Sequence, residues 1–131
     1  MKWVSKGNKK KYSIKRFFKS FTYAFTGIKT ATGTEQNFLF DAIFATLTII
    51  LGFILKLSTI EFAIVLLAIG LVISLELINT AVEYTIDMAM PEIHPLAKAA
   101  KDISSGAVLV SAIMAFIVGL IIYLPKVIDL L

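Results

Sequence analysis

The chain has 131 residues, of which 58% are hydrophobic, and its formal net charge is +4. A mean hydropathy of +0.87 is far above that of an ordinary soluble domain of this length, so we expect one small membrane domain covering residues 1–131. The absence of cysteine excludes disulfides and thiolate metal sites.

Most of the basic residues lie in the first quarter of the chain. Nine of the 13 lysines and arginines precede Glu35, and residues 1–12 form a polar, basic tail. Such an arm could bind nucleic acid. In so hydrophobic a chain we instead expect it to meet anionic lipid head groups, with no nucleic-acid partner.

An apolar stripe with helical spacing begins at Ile14. Its members recur at steps of three and four residues, with lysines off this face: Ile14, Phe17, Phe18, Phe21, Phe25 and Ile28. The pattern predicts an amphipathic helix over residues 13–31 that lies in the membrane interface, or alternatively packs on a partner. The segment TGTEQN, residues 32–37, is expected to interrupt this helix, with Thr32 or Thr34 capping the next one.

Three apolar segments follow, each long enough to cross a bilayer. They cover residues 38–57, 60–88 and 95–124. Residues 57–59 predict a tight connection between the first two segments, and Pro95 suits the first turn of the third. The predicted fold class is an all-α membrane protein with an N-terminal amphipathic surface helix and three transmembrane helices.

The distribution of basic residues predicts the orientation. The N-terminus and the 88–103 connection should be cytoplasmic, and the C-terminus outside. Most of the acids, His94 and Lys101 then gather near the cytoplasmic face. We expect the charged residues at the outer ends to be spread apart: Lys56, Glu61, Lys126 and Asp129. The small residues 104–107 permit close helix contact and favour oligomerisation.

The stretch LELINTAVEYTID, residues 75–87, carries the strongest chemical signal. It places Glu76, Thr80, Glu83 and Asp87 within roughly 40° of one helix direction. Acids inside a membrane helix usually face protein or water and serve a function, although a polar helix-packing seam is the alternative.

These residue types together suit phosphoryl transfer to a lipid alcohol. Glu83 and Glu35 offer the oxygen ligands that Mg²⁺ prefers, and Lys101 can act as a point charge on a phosphate. Glu76 lies about 10 Å deeper along the helix than Glu83, where a base would meet a hydroxyl from the membrane. No GxxxxGK[ST] motif occurs, which excludes a standard P-loop.

A small ion-coupled transporter or a regulatory membrane subunit is the hypothesis from a different class. A transport route needs polar groups across the midplane. They are sparse over residues 43–55 and 107–120, which disfavours this alternative.

The runs ELINTAVEYTID and EIHPLAKAAKDISSGAVLVSA resemble the small bacterial integral-membrane lipid kinases, that is, the prokaryotic diacylglycerol kinases and undecaprenol kinases. The resemblance extends from about Arg16 to Leu124, and FTGIKTATGTEQNF looks like the family's first block, with Glu35 at its acidic position. It implies a homotrimer in the bacterial cytoplasmic membrane, with active sites between subunits.

The resemblance also implies a role for each matching residue. Glu76 matches the catalytic base and Asn79 its active-site neighbour, while Glu35 and Glu83 match the acids that hold Mg²⁺ on the ATP phosphates. Lys101 matches the phosphate-binding lysine. The further residues matched to ATP binding are Asp102 beside that lysine, Asp87, Glu92 and His94 around the nucleoside, and Arg16, Lys19 and Tyr23 on the surface helix.

Departures from the family's pattern concern the lipid. Its best-studied diacylglycerol kinases have an arginine where this chain has Ala99, and a serine and a tryptophan where it has Ala24 and Phe25. The segments FFKSFTYAFTGI, INTAVE and HPLAK look closer to the undecaprenol kinase branch. The expected reaction is phosphorylation of undecaprenol to undecaprenyl phosphate, with diacylglycerol kinase activity, which makes phosphatidic acid, as the alternative.

Overall fold

Four helices make up the part of the protein that the computed structural model describes, residues 12–131. They are α1 (Ile14–Thr34), α2 (Gln36–Ile54), α3 (Thr59–Ala89) and α4 (Pro95–Ile128). No strand occurs within residues 12–131, so the expected all-α class is confirmed. The expected basic tail lies outside the described residues except for Tyr12, which is exposed.

The junction between α1 and α2 is shorter than expected. The predicted interruption within residues 32–37 is confirmed, but α1 continues through Thr34 and the break is confined to Glu35 with φ −109° and ψ 110°. The predicted threonine cap is wrong. Thr32 Oγ1 donates to Ile28 O at 2.8 Å and Thr34 Oγ1 to Thr30 O at 2.9 Å, as threonines within helices commonly do.

The end of α2 reverses the chain with a left-handed residue. Lys56 has φ 54°, Leu57 N donates to Gly52 O at 3.0 Å, and Lys56 N donates to Phe53 O at 3.2 Å. These two bonds form a Schellman motif, which satisfies carbonyls at the helix end. A lysine in this conformation costs about 1–2 kcal/mol relative to glycine.

The beginning of α3 is capped and paired. Ser58 Oγ accepts from Glu61 N at 3.3 Å, and Glu61 Oε2 accepts from Ser58 N at 2.7 Å, which is a capping box. Glu61 Oε2 also lies 3.1 Å from Lys126 Nζ at the end of α4. The expectation that these two charges lie apart is therefore wrong, because the antiparallel packing of α3 and α4 brings them together.

α3 is the central helix of the chain. It packs most extensively on α4 and less on α2, and α1 contacts both α2 and α3. Tyr123 Oη of α4 donates to Thr48 O of α2 at 2.8 Å. Gly52 is buried beneath this contact, and a Cβ there would lie 3.0 Å from Tyr123 Oη.

α2, α3 and α4 are each long and apolar enough to cross a membrane. α3 has 31 residues, about 46 Å, which exceeds a hydrocarbon core of about 30 Å, so at least one end projects into the head-group region. Most large apolar side chains are exposed, as expected for surfaces that face lipid or another subunit. Pro95 occupies the first turn of α4 as predicted, and α4 continues past Pro125.

Candidate active site

The α1–α2 junction, the C-terminal part of α3 and the N-terminal part of α4 meet at one end of the bundle, which we call the acid-rich end. Two contacts between helices mark this end. Tyr84 Oη of α3 donates to Thr34 Oγ1 of α1 at 2.8 Å. Lys101 Nζ of α4 forms an ion pair with Asp87 Oδ1 of α3. The helical hairpin of α3 and α4 thus brings together charged residues that lie far apart in sequence.

Glu76 is the deepest acid of this end. It is buried, with 4% of its surface exposed, and its carboxylate makes no hydrogen bond to any group of residues 12–131. The carboxylates of Asp41, Glu83 and Glu35 lie near enough to act on it electrostatically, in decreasing order. A buried carboxylate with free lone pairs can accept a proton or a hydrogen bond from an incoming hydroxyl.

Asn79 connects α3 to α4 one turn closer to the surface. Its Nδ2 donates to Glu83 Oε1 at 3.3 Å, and its Oδ1 accepts from Ser104 Oγ at 2.6 Å. Ser104 Oγ also lies 2.9 Å from Lys101 O. These bonds hold the amide between Glu76 and Glu83, with its nitrogen directed toward Glu83.

A cavity of about 280 Å³ opens beyond this network, and we call it the outer cavity. Its lining includes four of the residues matched to ATP binding: Asp87, Glu92, His94 and Lys101. His94 caps α4, since its Nδ1 accepts from Leu96 N at 3.2 Å. The structure therefore brings these four predicted residues to one site.

The other predicted ATP-binding residues lie outside the lining of the outer cavity. Asp102 is exposed and pairs with Lys98 at 2.5 Å. Arg16, Lys19 and Tyr23 are exposed on α1, where Lys19 Nζ lies 6.0 Å from the centre of the Tyr23 ring. A 6 Å separation is compatible with a cation–π contact within α1.

The donor groups of Glu35 and Glu83 suit a hard divalent cation. Both side chains are half-buried, and both act electrostatically on Glu76. Within residues 12–131 no three acidic or histidine side chains converge as a complete metal site. Mg²⁺ commonly takes only one or two carboxylates and completes its coordination with phosphate oxygens and water, so the residues present fit such an ion.

A second, apolar groove of about 520 Å³ runs between α2, α3 and α4. Asp41 lines it at the acid-rich end, and Tyr123 and Val127 line it toward the opposite end. Asp41 is half-buried and acts on Glu76, as a residue facing protein rather than lipid would. The groove therefore reaches from the buried acids along the apolar part of the bundle.

Three participants in the site were not predicted. Ser104 was assigned only to close helix packing, yet it bonds to Asn79. Its position three residues after Lys101, on the same helix face, is the sequence signal that could have identified it. The Thr34–Tyr84 bond joins residues 50 positions apart and has no local signal.

Comparisons with known proteins identify the family of this chain. The profile of the prokaryotic diacylglycerol kinase family matches residues 22–123. An undecaprenol kinase of Bacillus subtilis is 51% identical over 113 residues, which cover 86% of this chain and 92% of that protein.

Two diacylglycerol kinases are also similar. The protein of Synechocystis is 40% identical over 113 residues, covering 86% of this chain and 65% of that protein. The protein of Helicobacter pylori strain J99 is 38% identical over 107 residues, covering 81% of this chain and 84% of that protein. The family match includes α2, α3, most of α1 and α4, and all the acids around Glu76. This chain, a multi-pass membrane protein, belongs to the prokaryotic diacylglycerol kinase family.

Proposed function

We propose that this chain transfers the γ-phosphoryl group of ATP to the hydroxyl of a membrane lipid alcohol, and that this alcohol is undecaprenol. The observation that carries the proposal is the position of Glu76. Its carboxylate is buried within an apolar helix, has no hydrogen-bond partner in residues 12–131, and lies below a polar cluster that suits a metal–nucleotide. A base at this depth meets a hydroxyl that arrives through the membrane rather than from water.

The reaction follows from this arrangement. Glu76 accepts the proton of the lipid hydroxyl while the oxygen of that hydroxyl forms a bond to the γ-phosphorus. The bond from the γ-phosphorus to the β,γ-bridging oxygen breaks, and ADP leaves. Lys101 is held by Asp87 through one N–H, and its remaining N–H groups are available to stabilise charge on the phosphate oxygens. Asn79 orients the site through its bonds to Glu83 and Ser104.

Glu35 and Glu83 are the residues that would hold Mg²⁺. When bound, the ion neutralises phosphate charge and orients the nucleotide. Glu83 already receives one N–H from Asn79 on Oε1, which limits the rotation of its carboxylate. No group of residues 12–131 bonds to the second carboxylate oxygen, Oε2, which could then bind the ion.

The nucleotide would lie in the outer cavity. Asp87 and Glu92 line this cavity and offer acceptors to ribose and base O–H or N–H groups. His94 also lines it, and because its Nδ1 accepts from Leu96 N, its Nε2–H would act as a donor. Arg16, Lys19 and Tyr23 would reach the nucleotide from α1, and Asp102 would act beside Lys101.

The apolar groove supports a long, single-chain lipid as acceptor. It begins at Asp41, beside the buried acids, and continues along three helices over about 520 Å³. A polyprenyl chain could place its hydroxyl at the acid-rich end and its first isoprene units in the groove. The identity to the Bacillus undecaprenol kinase over most of both chains favours the same acceptor. Diacylglycerol remains the second candidate, because several relatives bear that name.

The orientation that we propose follows from charge, and the assembly from the resemblance to the family. The acid-rich end faces the cytoplasm, where ATP is found, and the basic N-terminal region meets anionic head groups of the bacterial cytoplasmic membrane. The exposed apolar faces of α2, α3 and α4 leave surface for lipid and for contacts between subunits, and the resemblance to the family implies a homotrimer with active sites between subunits.

Side-by-side phosphorylation of two lipids tests the acceptor. Purified protein in detergent micelles would receive labelled γ-ATP and Mg²⁺, with undecaprenol and diacylglycerol supplied separately at equal mole fraction. Strong preference for undecaprenol is the expected result, whereas preference for diacylglycerol would keep the chemistry and change the substrate. Transfer to neither lipid by folded protein would contradict the kinase proposal and revive the transporter or regulatory alternative.

A further inference from the structure

The hydrogen bond between Tyr84 and Thr34 joins the residues next in sequence to the two acids proposed as magnesium ligands. Tyr84 follows Glu83 on α3, and Thr34 precedes Glu35 at the end of α1. The 2.8 Å bond from Tyr84 Oη to Thr34 Oγ1 therefore links two backbone segments, each one residue from a proposed ligand.

The hydroxyl of Thr34 is oriented to receive this bond. Its own proton is donated to Thr30 O at 2.9 Å within α1, which leaves its oxygen lone pairs as the acceptor for Tyr84. Tyr84 must then be the donor. Thr32 offers a matched comparison, since its hydroxyl also donates within α1, to Ile28 O at 2.8 Å, but bonds to no other helix among residues 12–131.

Glu35 needs such a constraint more than Glu83 does. Glu83 is fixed within α3 and held by Asn79, whereas Glu35 is the single extended residue between two helices and its side chain makes no capping bond. α1 packs on α3 far less than α4 does. A rotation of the end of α1 would therefore move Glu35 relative to Glu83, and the Tyr84–Thr34 bond opposes that movement.

We propose that Tyr84 is a positioning residue that holds Glu35 in register with Glu83 through Thr34, so that both carboxylates can bind one divalent cation together with its nucleotide. This inference rests on the proposed metal-nucleotide function of the site. The simpler alternative is that the bond only docks α1 on α3. The exposure of Tyr84, 45% of its surface, is compatible with such a surface contact. The two possibilities differ in whether metal-nucleotide affinity depends on the bond.

The affinity for Mn²⁺ in the presence of a non-hydrolysable ATP analogue distinguishes the positioning role from simple docking. Free Mn²⁺ would be followed by electron paramagnetic resonance on the purified full-length protein in detergent. Tyr84→Phe removes only the donor, and one hydrogen bond corresponds to about threefold to tenfold weaker binding. Thr34→Val should weaken binding as much as Tyr84→Phe does, whereas Thr34→Ser, which keeps the hydroxyl, should bind with wild-type affinity. The double variant Tyr84→Phe/Thr34→Val should bind no more weakly than either single variant. Thr32→Val is the control and should bind like the wild type.

In the transfer assay the same variants should raise the KM for Mg-ATP more than they lower kcat. Wild-type affinity in both Tyr84→Phe and Thr34→Val would overturn the positioning role, as would equal weakening in Thr32→Val. A lower melting temperature with unchanged affinity would assign the bond to docking alone. Failure of the wild type to phosphorylate any lipid, with normal Mn²⁺-nucleotide binding, would overturn the proposed function while leaving the binding comparison decisive. If Tyr84→Phe does not fold, Thr34→Val, which keeps the aromatic side chain, is compared with Thr32→Val. If Thr34→Val does not fold, Tyr84→Phe is compared with Thr32→Val.

Discussion

Replacing Glu76 with glutamine removes the proposed base while keeping its shape. The side chain is 4% exposed and makes no hydrogen bond within residues 12–131, so bulk water has little access to replace it as a base. General-base catalysis contributes about 10²- to 10⁴-fold to a rate, which corresponds to about 3–5 kcal/mol of activation free energy. We expect kcat of Glu76→Gln to fall by about that factor.

Folding and nucleotide binding should survive this change. Asp41, Glu83 and Glu35 all act on Glu76 with like charge, so neutralising it relieves repulsion inside the bundle. The melting temperature in detergent should stay constant or rise. Equilibrium dialysis with a non-hydrolysable ATP analogue and Mg²⁺ should give wild-type affinity.

The assay is transfer of labelled phosphate to undecaprenol at saturating Mg-ATP. Glu61→Gln is the matched control, because it neutralises an acid of the same helix at the opposite end of the bundle, and glutamine can keep the capping box. It should retain full kcat. A kcat for Glu76→Gln within about twofold of the wild type, or an equal loss in both variants, would refute the base assignment, since the expected loss is at least about 10²-fold.

Two further changes test the surroundings of the base, and a third tests helix packing at the opposite end of the bundle. Glu83→Gln should raise the Mg²⁺ concentration for half-maximal turnover by about tenfold or more, and an unchanged Mg²⁺ titration would contradict its ligand role. Ser104→Ala leaves a buried amide oxygen without its donor and should lower kcat/KM about fivefold in the transfer assay, whereas a wild-type value would separate this bond from catalysis. Gly52→Ala would bring a Cβ to 3.0 and 3.2 Å from side chains, so we expect a loss of about 1–3 kcal/mol and a lower melting temperature. Gly70→Ala, where a Cβ meets nothing within 4 Å, is its control, and an equal response of the two would contradict the packing.

Periodicity along the chain predicts the helices well, because it reports a local property. The apolar stripe from Ile14 and the long apolar segments correspond to α1 and to the three spanning helices. The acids near Glu76 share a face because they lie on one continuous helix, and the structure retains this face. Such features depend on the 3.6-residue repeat and need no knowledge of the neighbouring helices.

The junction around Glu35 shows where composition misleads. A glycine and threonines favour an interruption over all of residues 32–37, but one glycine inside a helix costs only about 1 kcal/mol, and the helix continues to Thr34. The threonine hydroxyls bond to carbonyls of their own helix, so they do not compete for a cap. A single extended residue is then sufficient to separate α1 from α2.

Contacts between helices could not be predicted in the same way. Glu61 pairs with Lys126, and Ser104 bonds to Asn79, only because α3 and α4 are antiparallel with a particular rotation about their axes. A rotation by one residue, about 100°, would separate both pairs without changing the sequence pattern. Tertiary packing, rather than local preference, fixes that rotation.

The most direct test of the central claim is the balance between ADP formation and phosphate transferred to lipid. Wild-type protein in micelles would receive Mg-ATP with and without undecaprenol, and both products would be counted over time. Direct transfer with Glu76 as the base predicts that ADP forms only when the lipid alcohol is present. It also predicts that one phosphate appears in the lipid for each ADP formed. ADP formation without lipid at the same rate, or label that never reaches the lipid, would contradict the account.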